Sequence, residues 1–409
     1  MQYNQKAADV AAEVSKAVFG KPQTIRTIWM AMLAGGHVLI EDIPGVGKTT
    51  LALAFARALE LNESRVQFTP DVLPSDIVGF TVFQKETGRL VYHPGSVMCN
   101  LFLGDEINRT SSRTQSALLE VMEEGTVTVD GETHPVPAPF TVIATENPVG
   151  AAGTQMLPQS QLDRFTVCVV MGYPDTEAEM QMLAGRGQRT LLEQVHPVAN
   201  QADLLAMQKE VAGVFIHELM YRYIVDLAQA SRKEPRLALG LSPRASLALA
   251  GMARAAAYLA GRDFVAPQDV TTVFADVARH RLMLTDQAKA GGETVDVVID
   301  DLLRTVPRPR PEKADRHGRE TVLGAGPGAA VCRCGADTGA AGRRVAGIFP
   351  AADPAAGAGS AVLARQGGGR TDRARPACHA GPALCADRAA DQPQPAAHPP
   401  IADTGAGHR

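Results

Sequence analysis

A chain of 409 residues with 45% hydrophobic side chains is long enough for two or three domains with sizeable cores. Its net charge of −4 provides no general basic surface, which argues against nucleic acid or an anionic membrane as an obligatory partner. The polar start MQYNQKAADVAAEVSKAVFG lacks the apolar core of a secretory signal, and no uninterrupted apolar run approaches the roughly 18 residues that span a bilayer, so the cytoplasm is the expected address.

The first informative segment is HVLI, His37 to Ile40, an apolar run rich enough in branched side chains for a buried parallel strand. It leads into EDIPGVGKTT and then TLALAFARALEL, whose apolar residues recur at helical spacing. Strand, glycine-containing loop and helix in that order describe a phosphate cradle. Gly45 and Gly47 let successive N–H groups and the helix N-terminus face phosphate oxygens, with Pro44 stiffening the entry and Val46 between the glycines. Lys48 is placed to reach the β- and γ-phosphates, Thr49 to bind Mg²⁺ through its hydroxyl, and Thr50 to continue the binding turn. One position departs from the pattern G-x-x-x-x-G-K-[ST]: Asp42 stands where glycine is usual. At the strand end, before the cradle proper, it need not approach phosphate.

Next, VYHPGSV after ETGRL reads as a hairpin, and so does TVTVDGETHPV, whose Asp130-Gly131 is a strong type I′ turn signal. Between them, NLFLGDEINR is a second apolar strand ending in Asp105 and Glu106. Beside a phosphate loop, Asp105 can help hold Mg²⁺ while Glu106 polarises an attacking water. A third strand, FTVIATENP, ends at Asn147, whose amide either contacts the γ-phosphate and orients the water or simply terminates the strand before Pro148. Cys99 and Cys168 lie in apolar runs and read as small buried hydrophobes.

From about residue 175 the texture becomes helical. An acidic, cap-like PDTE opens a region whose long amphipathic stretches, among them IHELMYRYIVDLAQASR and APQDVTTVFADVARHRL, predict a lid domain. Met-rich pieces such as MAML and MQML are expected as core filler. Beyond residue 311 Ala, Gly, Pro and Arg dominate and Tyr and Trp vanish, so the tail is expected to be disordered; its bias resembles a GC-rich coding sequence read in a shifted frame. The spacing of Cys332, Cys334, Cys378, His379 and Cys385 matches no familiar zinc finger.

Taken together, HVLIEDIPGVGKTTLA, VQFTPDVLPSDIVGF, GDEINRTSSRTQSALLEVMEEGTVTVDG, FTVIATENP, LPQSQLDRF and LSPRASLALAGMARAAAYLAGRDFVAPQDV resemble the MoxR family of AAA+ ATPases over roughly residues 5 to 308. Members of that family accept residues other than glycine at the position of Asp42. The resemblance implies an α/β fold: a P-loop AAA+ core with a parallel sheet flanked by helices (1–174), an α-helical lid domain (175–311) and the C-terminal tail (312–409). It makes Lys48 and Thr49 the Walker A pair, Asp105 and Glu106 the Walker B pair, and Asn147 sensor 1. It makes Arg164 the arginine finger that completes a neighbour's site and Arg244 the sensor 2 residue touching the γ-phosphate in cis. FGK around Gly20 resembles the segment that packs on adenine, and the two hairpins would face a ring pore or a client.

The implied function is Mg-ATP hydrolysis in a homo-oligomeric ring, a hexamer by resemblance, that remodels or matures a client protein such as a metalloenzyme. A von Willebrand factor A domain protein is the implied partner. Three rivals stay open at this stage: a DNA-processing motor, disfavoured by the acidic-to-neutral hairpin VTVDGETH; a metal-chelatase motor; and a nucleotide-binding scaffold that does not turn over.

Overall fold

A computed structural model describes residues 2–42, 45–86, 88–147, 156–184 and 191–309. By its contacts the chain divides into Met1–Thr321 and Val322–Arg409, and every described residue belongs to the first unit. Pro44, the cysteines of the tail and the tail itself lie outside the described residues.

The strands are β1 (Val38–Glu41), β2 (Glu63–Gln67), β3 (Gly79–Gln84), β4 (Arg89–Pro94), β5 (Leu101–Asp105), β6 (Thr126–Val129), β7 (Glu132–Pro135), β8 (Thr141–Glu146) and β9 (Val167–Val169). Five of them form a parallel sheet in the order β2-β5-β8-β1-β9. Because side chains alternate across a strand, each central strand feeds two cores. Val38, Ile40, Leu103, Ile143 and Val167 join the N-terminal helices, the helix after the phosphate loop and the lid helices. Leu39, Phe102, Val142, Ala144 and Cys168 face the helix Ser112–Glu124. The near-continuous apolar runs seen in the sequence follow from burial on both faces.

Both hairpins form, β3 with β4 and β6 with β7. At the second, Asp130 (φ 49°) and Gly131 (φ 82°) are both left-handed, as a type I′ turn requires. The hairpins touch each other: the Tyr92 and His134 rings stack with centroids 3.9 Å apart, and the Thr81 hydroxyl donates to Asp130.

Helices Gln201–Ala212, Glu218–Lys233, Pro243–Leu259, Pro267–Ala278 and Val295–Thr305 make up most of the lid region. It is not wholly helical. Leu237–Leu239 pairs antiparallel with Met283–Leu284, two runs too short to show an alternating pattern in sequence. Met30 and Met32 of MAML are fully buried filler. Met180 of MQML is exposed, because Ala178 on the same helix packs on Gly20 and two residues of helix turn Met180 to the far side. Among the described residues no helix is long and apolar enough to cross a membrane.

Candidate nucleotide-binding site

The site lies where β1, β5 and β8 end together, outside the carboxyl edge of the parallel sheet, where such sheets bind ligands. After β1 the chain turns through Gly45 (φ 90°) and Gly47 (φ 91°) into the helix Lys48–Ala58. A Cβ at either glycine would meet open space, so the backbone angle and not crowding demands glycine there. Lys48 opens the helix, half-buried, and its ammonium donates to the Asp42 carbonyl at 2.7 Å. Burial lowers the Lys48 pKa, against the opposing pull of Asp42, Asp105 and Glu106.

Asp42 now has a physical account. Its N–H extends the β1–β8 pairing by donating to Glu146 O at 3.0 Å, and its carboxylate accepts from the Gly172 N–H just beyond β9. Asp42 is absent from the residues with positive φ, so glycine has no advantage at this position. The carboxylate ties the start of the loop to the chain just beyond the neighbouring strand β9.

Asp105 is buried at the end of β5, where it accepts from Arg65 Nε at 2.8 Å. Glu106 follows in a left-handed conformation (φ 57°, ψ 51°) that costs a non-glycine residue about 1 kcal/mol or more. Its N–H donates to Thr145 Oγ1 at 2.9 Å, and its carboxylate pairs with Arg109 at 2.8 Å. Asn147 continues from β8 beside Asp42, and fully buried Asn108 donates to its carbonyl at 3.1 Å. Thr49 and Thr50 occupy the first turn after Lys48, Thr50 buried. Thus Lys48, Thr49, Asp105, Glu106 and Asn147 are brought to one edge.

Beneath them, Glu146 is buried next to Glu41 with no hydrogen-bond partner for its Oε1 among the described residues, and burial, reinforced by Glu41, pushes its pKa up to about 7. A raised carboxyl pKa means the fold favours the protonated form. The stabilisation is complete below pH 4.5 and is lost as pH rises through about 7. Glu146→Gln cannot ionise, so it is expected to melt close to wild type at pH 5 and to gain up to about 3 kcal/mol over it at pH 8, read from paired thermal melts.

The two arginines lie elsewhere. Arg164 Nε pairs with Glu123 at 3.2 Å, and Arg244 pairs with the other oxygen of the same carboxylate. Glu123 lies in the last turn of the helix Ser112–Glu124, next to Met122, whose carbonyl accepts from His37 Nε2 at 3.0 Å. Because His37 Nδ1 accepts from the Val142 N–H, the ring is the neutral Nε2–H tautomer, and burial holds its pKa down at about 4. His37 enters β1 from the edge opposite the loop. β1, four residues and roughly 13 Å long, runs between this corner and the phosphate loop.

The expected contact of Arg244 with its own γ-phosphate site is accordingly not made in this conformation. The reason is the way the lid is seated. Ser242 caps the helix Pro243–Leu259 and donates to both oxygens of Asp163, at 3.0 and 2.8 Å, while buried Arg281 holds Asp163 from the other side. Gly20 packs on Ala178, and Lys21 donates to Tyr173 O at 2.7 Å, so the FGK segment lies against the chain that follows β9. Cys99 and Cys168 are buried thiols with raised pKa values, Cys99 at about 12, as inert core residues should be.

Arg65, Arg109, Glu123, Asp163 and Arg281 were not singled out from the sequence. Arg109 alone left a local signal, a cation three residues after Glu106.

Family profiles match this architecture in two places: the ATPase family associated with various cellular activities (AAA) over residues 37–167, and the AAA lid domain over residues 229–302. The first match runs from the entry of β1 into β9 and the second covers most of the lid helices. The chain is 39% identical over 315 residues to the chaperone MoxR1 of Mycobacterium tuberculosis, covering 75% of this chain and 83% of that protein. This chain belongs to the MoxR family of AAA+ ATPases. It is also 42% identical over 303 residues to the uncharacterised protein YeaC of Bacillus subtilis, covering 74% of this chain and 95% of that one. A crystal structure of a candidate ATPase from Cytophaga hutchinsonii is similar at a TM-score of 0.69 and 34% identity, over 76% of this chain and 96% of that one. Within this MoxR-family chain, Lys48, Thr49, Asp105, Glu106, Asn147 and Arg164 fall inside the AAA match and Arg244 inside the lid match.

Proposed function

We propose that this MoxR-family protein binds and hydrolyses Mg-ATP at sites completed by neighbouring copies of the chain, in a cytoplasmic ring of six. Turnover remodels or matures a client protein, with metalloenzymes and a von Willebrand factor A domain partner as the classes the family resemblance suggests. The observation that carries the reading is the separation of Lys48, Asp105 and Glu106 at one edge of the sheet from Arg164 and Arg244 at the other. Each chain then offers a phosphate site at one edge and a pair of guanidiniums at the other. That arrangement suits a neighbour whose phosphate lies against the arginines.

In this reading Lys48 leaves the Asp42 carbonyl for the β- and γ-phosphates, and the glycine turn with the helix N-terminus supplies N–H donors. Mg²⁺ fits the donor set of Thr49 and Asp105, hard oxygens at adjoining element ends, and when bound supplies charge that neutralises the phosphate oxygens. Glu106 leaves Arg109 to accept the proton of the attacking water, which the Asn147 amide orients. Arg164 and Arg244 of the adjacent chain meet the charge that develops on the transferring phosphoryl group. Residues 1–174 form the nucleotide-binding domain and 175–311 the lid, with 312–409 as an appended tail.

The test is Glu106→Gln. It is expected to keep ATP affinity within about threefold while turnover falls by roughly 10²-fold or more, measured by nucleotide binding and phosphate release on the same preparation. Unchanged turnover would remove Glu106 from its assigned role.

A further inference from the structure

The Glu123 corner contains charges set where their helices disfavour them. Glu123 sits in the last turn of Ser112–Glu124, where the helix presents its negative end, and the helix stops two residues on at Gly125 (φ 63°). Arg244 sits in the first turn of Pro243–Leu259, where the helix presents its positive end. Neither placement favours its own helix. What they achieve is to gather two guanidiniums from separate elements, the segment before β9 and the lid, onto the two oxygens of one carboxylate. Without it, two like charges would sit beside buried Arg281, whose own carboxylate, Asp163, is already engaged.

The group is open to an approaching molecule: the side chains of Arg164, Glu123 and Arg244 are 29%, 39% and 40% exposed. Counting Arg164, Arg244 and Arg281 against Glu123 and Asp163, the corner keeps one net positive charge for an incoming anion. A simple surface ion pair would contribute at most about 1 kcal/mol to stability. Here one carboxylate sets the spacing and direction of two cations at once.

We infer that Glu123 is a positioning residue for the ATPase reaction: it holds Arg164 and Arg244 as a preformed pair that the neighbouring subunit's triphosphate engages. It touches no reacting atom and acts only through the two arginines. The inference rests on the shared-site reading above, and the experiment separates the two.

The variant is Glu123→Gln, close in shape but unable to pair with guanidinium as an ion. Alone, it is expected to lose about tenfold in ATPase activity per chain while its melting temperature stays near wild type. Glu106→Gln chains retain intact arginines but a dead site of their own. An equimolar mixture of Glu123→Gln with Glu106→Gln is therefore expected to recover activity several-fold above the sum of the two alone. A mixture of Glu123→Gln with Arg164→Ala is expected to recover nothing, since both fail on the same side. If Arg164→Ala itself hydrolyses ATP like wild type, the shared-site reading fails and takes the inference with it. If Arg164→Ala is inert but Glu123→Gln matches wild type, the role of Glu123 is overturned and the shared site stands. Loss in Glu123→Gln that Glu106→Gln chains do not restore overturns it as well, because the defect then lies in the variant's own fold or site.

Discussion

Arg164→Ala is expected to lower steady-state ATPase activity by about 10³-fold while leaving ATP affinity within a few-fold of wild type. The guanidinium lies at the edge of the sheet opposite Lys48, and its partner in this chain is Glu123. Truncating it therefore leaves the phosphate loop, Asp105 and Glu106 untouched. On the proposed shared-site reading, what is lost is a cation presented to a neighbour, and arginines in that role act chiefly on the transition state, where charge spreads over the phosphoryl oxygens. A large fall in kcat with little change in KM is the signature. A fall in binding of similar size would place Arg164 in its own site instead.

The second large effect is structural. Arg281→Ala is expected to destabilise the protein by about 3–5 kcal/mol and to lower its melting temperature by about 10 °C. The side chain is 2% exposed, and all five of its N–H groups are used. Nε donates to Asp163 Oδ1 at 2.7 Å, one terminal nitrogen to the carbonyls of Thr166 and Val277, and the other to those of Asp163 and Phe165. Burial lowers its pKa and Asp163 raises it, so the charge is held by that carboxylate. Removing the guanidinium leaves Asp163 with Ser242 alone among these partners and takes a donor from four carbonyls, three in the segment 163–166 and one at Val277. Lysine has three donors on a flexible stem and cannot replace a planar fork of five, so Arg281→Lys is expected to recover only part of the loss in the same melts.

How legible this was in the sequence depends on the range over which each feature is encoded. The phosphate loop was legible because its requirements are contiguous: Gly45 and Gly47 need positive φ, Lys48 opens the next helix, and a buried strand precedes them. The sheet was legible because β5 and β8 are buried on both faces and read as apolar runs ending at Asp105 and near Asn147. The turn at Asp130-Gly131 was legible for the same local reason. The pairs Arg65–Asp105, Arg244–Glu123 and Arg281–Asp163 join residues 40, 121 and 118 positions apart, and no periodicity connects them. The seat of Arg244 depends on Ser242 and Arg281 locking the lid to Asp163, so a motif that identifies the residue says nothing of which edge of the sheet it reaches. Asp42 is intermediate. Its departure from glycine was visible, but its carboxylate's partner, Gly172, was not.

In the single chain both Walker B carboxylates are paired with arginines, Asp105 with Arg65 and Glu106 with Arg109, while Lys48 is turned onto a backbone carbonyl. On the proposed reading, nucleotide and a neighbouring chain would have to break these pairs before turnover.

The most direct test is therefore specific ATPase activity as a function of protein concentration, for wild type, for Arg164→Ala, and for an equimolar mixture of Arg164→Ala with Glu106→Gln. Shared sites predict activity per chain that rises with concentration to a plateau, two variants that are inert alone, and a mixture that regains part of the wild-type rate. Activity per chain that is constant with concentration and survives Arg164→Ala would contradict the account, because each chain would then hold a complete site of its own.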